Sequence, residues 1–313
     1  MLEFHEQKGS DPPLFTEDTD EALPEKLNPN TRYAFFQTIA TGGKSLIKSC
    51  KDLHLKRVVC YKTLRPEFLD DPIENKRLLR EARISANLQH PNTVPTYEIG
   101  RTNRGHYYFT MKLVHGYTLR EVLNYRDRYD LNQLVNVILQ VAYALGYAHS
   151  KGVLHRDIKP DNILIGPYGE VLLLDWGLAK VWNRDTGEVT EDLDSPVRVG
   201  SKGMTGYAKL QGTLMYMSPE QIDKDPNIGF HSDLYSLGAL LYETLTGLTP
   251  FQGDHVPTLL AQIRGEDPAD PRTVSGSYVP DVLAELTMQC LQKSASERPH
   301  SAESMIGALK NAL

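Results

Sequence analysis

Two stretches of this 313-residue sequence gather residue types able to do chemistry. The first, QTIATGGKSLIKS (37–49), contains Gly42-Gly43-Lys44-Ser45, the ending of the phosphate-cradling pattern GxxxxGK[ST]. That pattern requires a glycine five residues before Gly43, where this chain has Thr38. No helix-forming run follows Ser45, so a strand-to-helix phosphate cradle is disfavoured. The second stretch, GVLHRDIKPDNILI (152–165), is followed closely by VLLLDWGLAK (171–180). Together they set Asp157, Lys159, Asn162 and Asp175 among apolar runs.

The second stretch resembles the protein-kinase family, and the resemblance runs from about Tyr33 to Leu313. The family's HRDxxxxN loop appears as His155-Arg156-Asp157 with Asn162, and its DFG as Asp175-Trp176-Gly177. Phosphoryl transfer of this kind depends on positioning and electrostatics more than on covalent chemistry. The resemblance implies that Asp157 receives or orients the substrate hydroxyl's proton, and that Lys159 stands near the γ-phosphate, as in the Ser/Thr-specific branch. Asn162 and Asp175 are then the Mg²⁺ ligands, with Mn²⁺ as an alternative ion. Val59-Cys60-Tyr61-Lys62 matches the family's VAIK strand, which gives Lys62 the α- and β-phosphates and makes Glu81 in LLREARI its partner. Thr213, in the GT…APE-like run QGTLMYMSPEQ, is implied to help seat a Ser/Thr substrate.

The same resemblance assigns the nucleotide pocket. Cys60 becomes a wall of the adenine site, Met111 the gatekeeper, Lys112, Leu113 and Val114 the hinge, and Leu164 the residue beneath the purine. IATGGKSLI takes the place of the GxGxxG loop, so Ala40, Gly42, Gly43, Lys44, Ser45 and Ile47 are expected over the nucleotide. Here the pattern departs from the family: Ala40 and Ser45 replace two of the three glycines. Glycine serves where backbone must approach phosphate closely or adopt conformations costly for a residue with Cβ. Other departures are Lys112 for a common hinge acid and Ser294-Ala295 for Asp-Pro. Two supports of the fold are also implied, a Glu220–Arg298 ion pair and Asp233 bracing the catalytic loop.

Around these residues the sequence texture changes twice. Residues 1–31 are acidic and proline-containing without apolar periodicity, which reads as a flexible extension. Residues 32–313 read as one kinase domain, a small lobe over 32–113 and a large one over 117–313. From Tyr33 come strand-like runs (YAFFQTIA, SLIKSC, KRVVCYKTL), one helical run (PIENKRLLREARISANLQH) and two further strands (TVPTYEIG, HYYFTMKLV). After Gly116 helical periods dominate, among them LNQLVNVILQVAYALGYAHS and SDLYSLGALLYETLTG. The expected fold class is α+β: a bilobal kinase fold with a small antiparallel sheet and one helix, then a larger, mainly helical lobe.

Bulk composition narrows the function classes. A net charge of −6 argues against a nucleic-acid partner. Three widely spaced cysteines exclude a disulfide framework and a cysteine-rich zinc site, and they fit a reducing, cytoplasmic setting. No run reaches the length of a membrane span. The resemblance therefore implies an ATP- and Mg²⁺-dependent kinase of protein Ser/Thr hydroxyls, most like the bacterial serine/threonine kinases. Autophosphorylation by a second copy of the chain is expected at Ser201 or Thr205, within the long segment from Asp175 to Glu220. The competing reading is a pseudokinase scaffold with a degenerate glycine-rich loop. A small-molecule phosphotransferase fits less well, because such enzymes lack the GT…SPE segment and the Glu220–Arg298 pair.

Overall fold

The computed structural model describes residues 19–23, 25–26, 28, 31–182, 212–225, 228–253 and 255–313. The chain forms two compact units. One takes the described residues up to Gln89 together with Thr93–Gly116; the other takes His90–Asn92 and Tyr117–Leu313. His90–Asn92 group with the second unit through Asn92, whose Nδ2 donates to Val171 O at 2.8 Å and to Gln140 Oε1 at 3.0 Å.

The first unit is a five-stranded antiparallel sheet with one long helix. Its strands are β1 (Tyr33–Thr41), β2 (Ser45–Asp52), β3 (Arg57–Leu64), β4 (Thr96–Arg101) and β5 (Tyr107–Lys112), ordered β1-β2-β3-β5-β4. The β-branched and aromatic residues of RVVCYKTL and YYFTMK suit central strands, and successive side chains alternate between faces. One face carries Cys50, Val59, Tyr61 and Tyr108, with Tyr33 packed against them. The other carries Leu64 and Phe109, which pack on Leu78 and Ala82 of helix α1 (Pro72–Asn87). Asp71 caps α1 by accepting from Ile73 N and Glu74 N, and Pro72 fills the first helical position, where a missing N–H costs nothing. Glu74, Leu78, Glu81, Ala82 and Ile84 are its buried residues, spaced for one side of the helix.

The second unit is mainly helical: α2 (Leu119–Leu123), α3 (Leu131–Ser150), α4 (Pro219–Asp223), α5 (Phe230–Thr246), α6 (Val256–Gly265), α7 (Pro271–Val274), α8 (Asp281–Cys290) and α9 (Ala302–Ala312). Short strands accompany them: β6 (Tyr117–Thr118), β7 (Val153–Leu154), β8 (Ile163–Ile165), β9 (Val171–Leu173) and β10 (Lys180–Val181). Helix α5 is buried nearly all round, with Ser232, Asp233, Ser236 and Glu243 buried among its apolar residues, and packs against α3 and α8. Gly238 makes the α5–α8 approach possible, since a Cβ there would lie 2.3 Å from the Cβ of Cys290. β6, β8 and β9 form a small sheet that holds the segment 155–162 between β7 and β8. No described helix is long and apolar enough to cross a membrane. The small antiparallel sheet with one helix and the larger helical unit are the expected α+β kinase architecture.

Candidate active site

In the sheet unit, strand register sorts the candidate nucleotide residues onto one face. Ala40 pairs with Ile47, Ile47 with Lys62, Lys62 with Phe109, and Cys60 with Met111. Cross-strand partners share a face, and Phe109 fixes this one as the face toward α1. Lys62 is 5% exposed, and its Nζ donates to Glu81 Oε1 at 2.5 Å. Glu81 is buried on the inner stripe of α1, so the ammonium and carboxylate neutralise each other where an isolated charge would be expensive. Burial pushes the Cys60 thiol up to about 11 despite the nearby Lys62 charge. Lys112 ends β5, with its N–H donating to Pro95 O, and Leu113 and Val114 follow half-buried.

The turn joining β1 to β2 is a strand–turn–strand hairpin, closed by Gly42 N donating to Ser45 O at 2.8 Å. Neither Ala40 nor Ser45 takes a positive φ, so both replacements of the family's glycines are unstrained. A Cβ at Gly42 would lie 2.8 Å from Ser45 Oγ, so a larger residue there would have to turn that hydroxyl aside. Lys44 at the tip bonds the carboxylate of Glu74.

In the helical unit the structure draws together Asp157, Lys159, Asn162 and Thr213. Lys159 Nζ donates to both carboxylate oxygens of Asp157, at 2.8 and 2.7 Å, and to Thr213 Oγ1 at 3.4 Å. Asn162 Nδ2 donates to Asp157 O at 2.8 Å and to Asp157 Oδ2 at 2.9 Å. Burial, reinforced by the Asp175 charge, pushes the Asp157 carboxyl above its ordinary range, while Lys159 pulls the other way. Asp175 is exposed and left-handed at φ 61°, and Arg156 at φ 69° is the other left-handed non-glycine residue described in this region. Non-glycine residues rarely adopt that conformation, and where they do the surroundings must hold them in it. Leu164 is half-buried on β8, paired with Thr118 and Leu172.

The restraint on Arg156 comes from Asp233 on α5. Its carboxylate accepts from the N–H groups of His155 and Arg156, each at 2.8 Å, and from His149 Nε2 at 2.9 Å. Burial works to raise the Asp233 carboxyl, yet these donors hold it below the usual range. His155 continues the frame: its Nε2 donates to Leu174 O at 3.0 Å, its Nδ1 accepts from Asp157 N, and its ring meets Trp176 edge-on. Tryptophan in the middle of DWG therefore fills the apolar slot beside the loop, 2% exposed. Glu220 lies bidentate on the wholly buried Arg298, at 2.6 and 2.9 Å, and takes a third bond from Ser232.

Two networks have no counterpart in the sequence reading. Arg120 on α2 reaches Glu243 on α5 at 2.5 Å and the hydroxyl of Tyr216, which itself donates to Glu243. Arg65 and Glu74 bind the β1–β2 turn. The phosphorylation candidates Ser201 and Thr205 lie outside the described residues.

The serine/threonine-protein kinase PknD of Protochlamydia amoebophila is 34% identical over 294 residues, 90% of this chain and 30% of its own length. The serine/threonine-protein kinase pkn3 of Myxococcus xanthus is 31% identical over 300 residues, 94% of this chain and 52% of its own. PknB of Mycolicibacterium smegmatis, also a serine/threonine-protein kinase, is 33% identical over 277 residues, covering 88% and 42% respectively. The chain thus spans from about a third to about half of the length of the curated relatives it matches. The protein kinase domain family matches residues 33–307, and the chain belongs to that family.

Proposed function

We propose that the chain is an ATP-dependent serine/threonine protein kinase. The observation that carries this reading is the Asp157 carboxylate, 10% exposed and gripped by Lys159 and Asn162, with the Thr213 hydroxyl on the same ammonium. Asp157 would take the proton of a substrate hydroxyl, which its raised basicity favours, and Lys159 would face the transferred group. Thr213 would orient the substrate Ser or Thr. In the sheet unit Lys62, held by Glu81, would bind the α- and β-phosphates, and Ala40, Gly42, Gly43, Ile47, Cys60, Met111, Leu113, Val114 and the Lys112 main chain would contact the nucleotide, with Leu164 in the helical unit.

Bound Mg-ATP supplies the transferable phosphoryl group and a divalent cation that neutralises developing charge. The donor set fits Mg²⁺ or Mn²⁺. Asn162 spends its Nδ2 on Asp157, which leaves its amide oxygen for a cation, and the Asp175 carboxylate is exposed. No described group of three or more His, Cys, Asp or Glu could hold a metal alone. Mg²⁺ is commonly bound by one or two protein oxygens together with substrate phosphates. Three free, buried cysteines suit a reducing, cytoplasmic setting.

Phosphoamino-acid analysis of a protein substrate incubated with γ-labelled ATP tests the reading. Phosphoserine or phosphothreonine is expected with wild type and absent with Asp157→Ala. Phosphotyrosine as the sole product would overturn the Ser/Thr assignment. A second copy is the expected first substrate, at Ser201 or Thr205.

A further inference from the structure

The β1–β2 turn is tied at three points, two to Arg65 just past the end of β3 and one to the first turn of α1. Arg65 N–H donates to Lys44 O at 2.9 Å, the Arg65 guanidinium donates to Gly43 O at 3.2 Å, and Lys44 Nζ bonds the Glu74 carboxylate. The Glu74 side chain is 8% exposed and is oriented independently by Arg77, 2.6 Å away. An exposed ion pair between two mobile side chains is worth little. This one differs, because the carboxylate end is already buried and fixed and only the lysine must be ordered. Glu74 and Glu81 stand seven residues apart on α1, two helical turns, and so share a face. One acid holds the turn through Lys44; the other holds β3 through Lys62.

We infer that Glu74, Lys44 and Arg65 form a clasp that fixes the turn over the nucleotide phosphates, with Glu74 as a positioning residue for ATP. The inference rests on the kinase reading above. The lysine's charge is spent on α1, so the turn's contribution to the nucleotide is its main-chain N–H groups, held in place. The clasp takes over the placement of a turn that has lost two of the family's three glycines. It also couples turn and Lys62 through one rigid helix, so movement of α1 shifts both.

The test compares KM and kcat for ATP, and direct binding of a fluorescent ADP, in wild type, Lys44→Met, Lys44→Arg, Glu74→Gln and the Lys44→Met/Glu74→Gln double variant. The clasp predicts that Lys44→Met and Glu74→Gln each raise KM and weaken ADP binding about three- to tenfold. It predicts kcat changed by less than about twofold, a double variant no worse than the weaker single, and near-normal Lys44→Arg. Glu74→Asp, which keeps the charge on a shorter side chain, replaces Glu74→Gln if melting shows that variant unfolded, with the same expectation. If Lys44 instead bound phosphate directly, Lys44→Met would weaken binding while Glu74→Gln left it unchanged or tightened it. That result, additive losses, or no change in any variant would overturn the clasp. Wild-type protein that neither binds nor turns over ATP would overturn the kinase reading and the clasp together, whereas normal wild-type turnover with unaffected variants removes the clasp alone.

Discussion

Lys62 and Glu81 meet at 2.5 Å with side chains 7% and 9% exposed, one on the third strand of the sheet and one on the helix beneath it. Each makes the other's burial tolerable. Removing one partner leaves a buried charge, which costs about 3–5 kcal/mol. Lys62→Met should therefore lose nucleotide binding and also lower stability in chemical denaturation. The Lys62→Met/Glu81→Leu double variant should regain much of that stability and none of the binding. Binding restored in the double variant would mean the lysine acts only as a strut.

The Glu220–Arg298 pair predicts a pH dependence of stability. Burial alone would raise the Glu220 carboxyl, but the bidentate Arg298 contact holds it below its ordinary value. A carboxyl depressed in the folded state stabilises above its unfolded pKa, and that contribution is lost as pH falls through the folded one. Glu220→Gln should thus cost about 3–5 kcal/mol at neutral pH, as for any broken buried pair. In urea titrations the gap to wild type should hold down to about pH 5 and close as the solution is acidified past the usual carboxylate range. A gap that widens with acid would contradict the assignment.

Thr213 stands on Lys159 rather than on the phosphate-binding strands, so its loss should affect the acceptor and not ATP. Removing one hydrogen-bonding hydroxyl is worth about 1 kcal/mol, so Thr213→Ala should lower transfer to a Ser/Thr peptide about five- to tenfold with KM for ATP unchanged. Thr213→Ser should retain most of the activity. A rise in the KM for ATP would move Thr213 out of the acceptor role.

All three cysteines are free and buried, and burial raises their thiols to about 11 for Cys60 and about 12 for Cys50 and Cys290. The thiolate is the reactive form. At pH 8 none should alkylate in the folded protein, and all three should do so in urea, as counted by mass spectrometry. Rapid labelling of Cys60 in native protein would show that its environment is polar and open.

Much of this was legible because it depends on local pattern. Strands such as RVVCYKTL announce themselves by β-branched and aromatic residues, α1 by the helical spacing of apolar residues in PIENKRLLREARISANLQH, and Asp157 by its neighbours in HRDxxxxN. The contacts that escaped are those between distant segments. Glu74 reads as an ordinary first-turn acid until the fold brings a turn thirty residues earlier against it. Arg120 and Glu243 are 123 residues apart, and nothing in either stretch names the other. In YAFFQTIA every residue suits a strand, yet Phe35 breaks it with a bulge at φ 55° and stays 80% exposed. Asn92 carries His90–Asn92 into the helical unit through a bond to Val171, 79 residues later.

The central claim is phosphoryl transfer by Asp157 and Lys62. Its most direct measurement is incorporation of label from γ-labelled ATP, with Mg²⁺ or Mn²⁺, into a generic basic protein and into the chain itself. Wild type is measured beside Lys62→Met and Asp157→Ala. The account predicts incorporation by wild type at least about a hundredfold above both variants, the scale set by losing a general base or a preorganised charge. Incorporation by wild type no greater than by the two variants would contradict it and identify the chain as a kinase-fold interaction module.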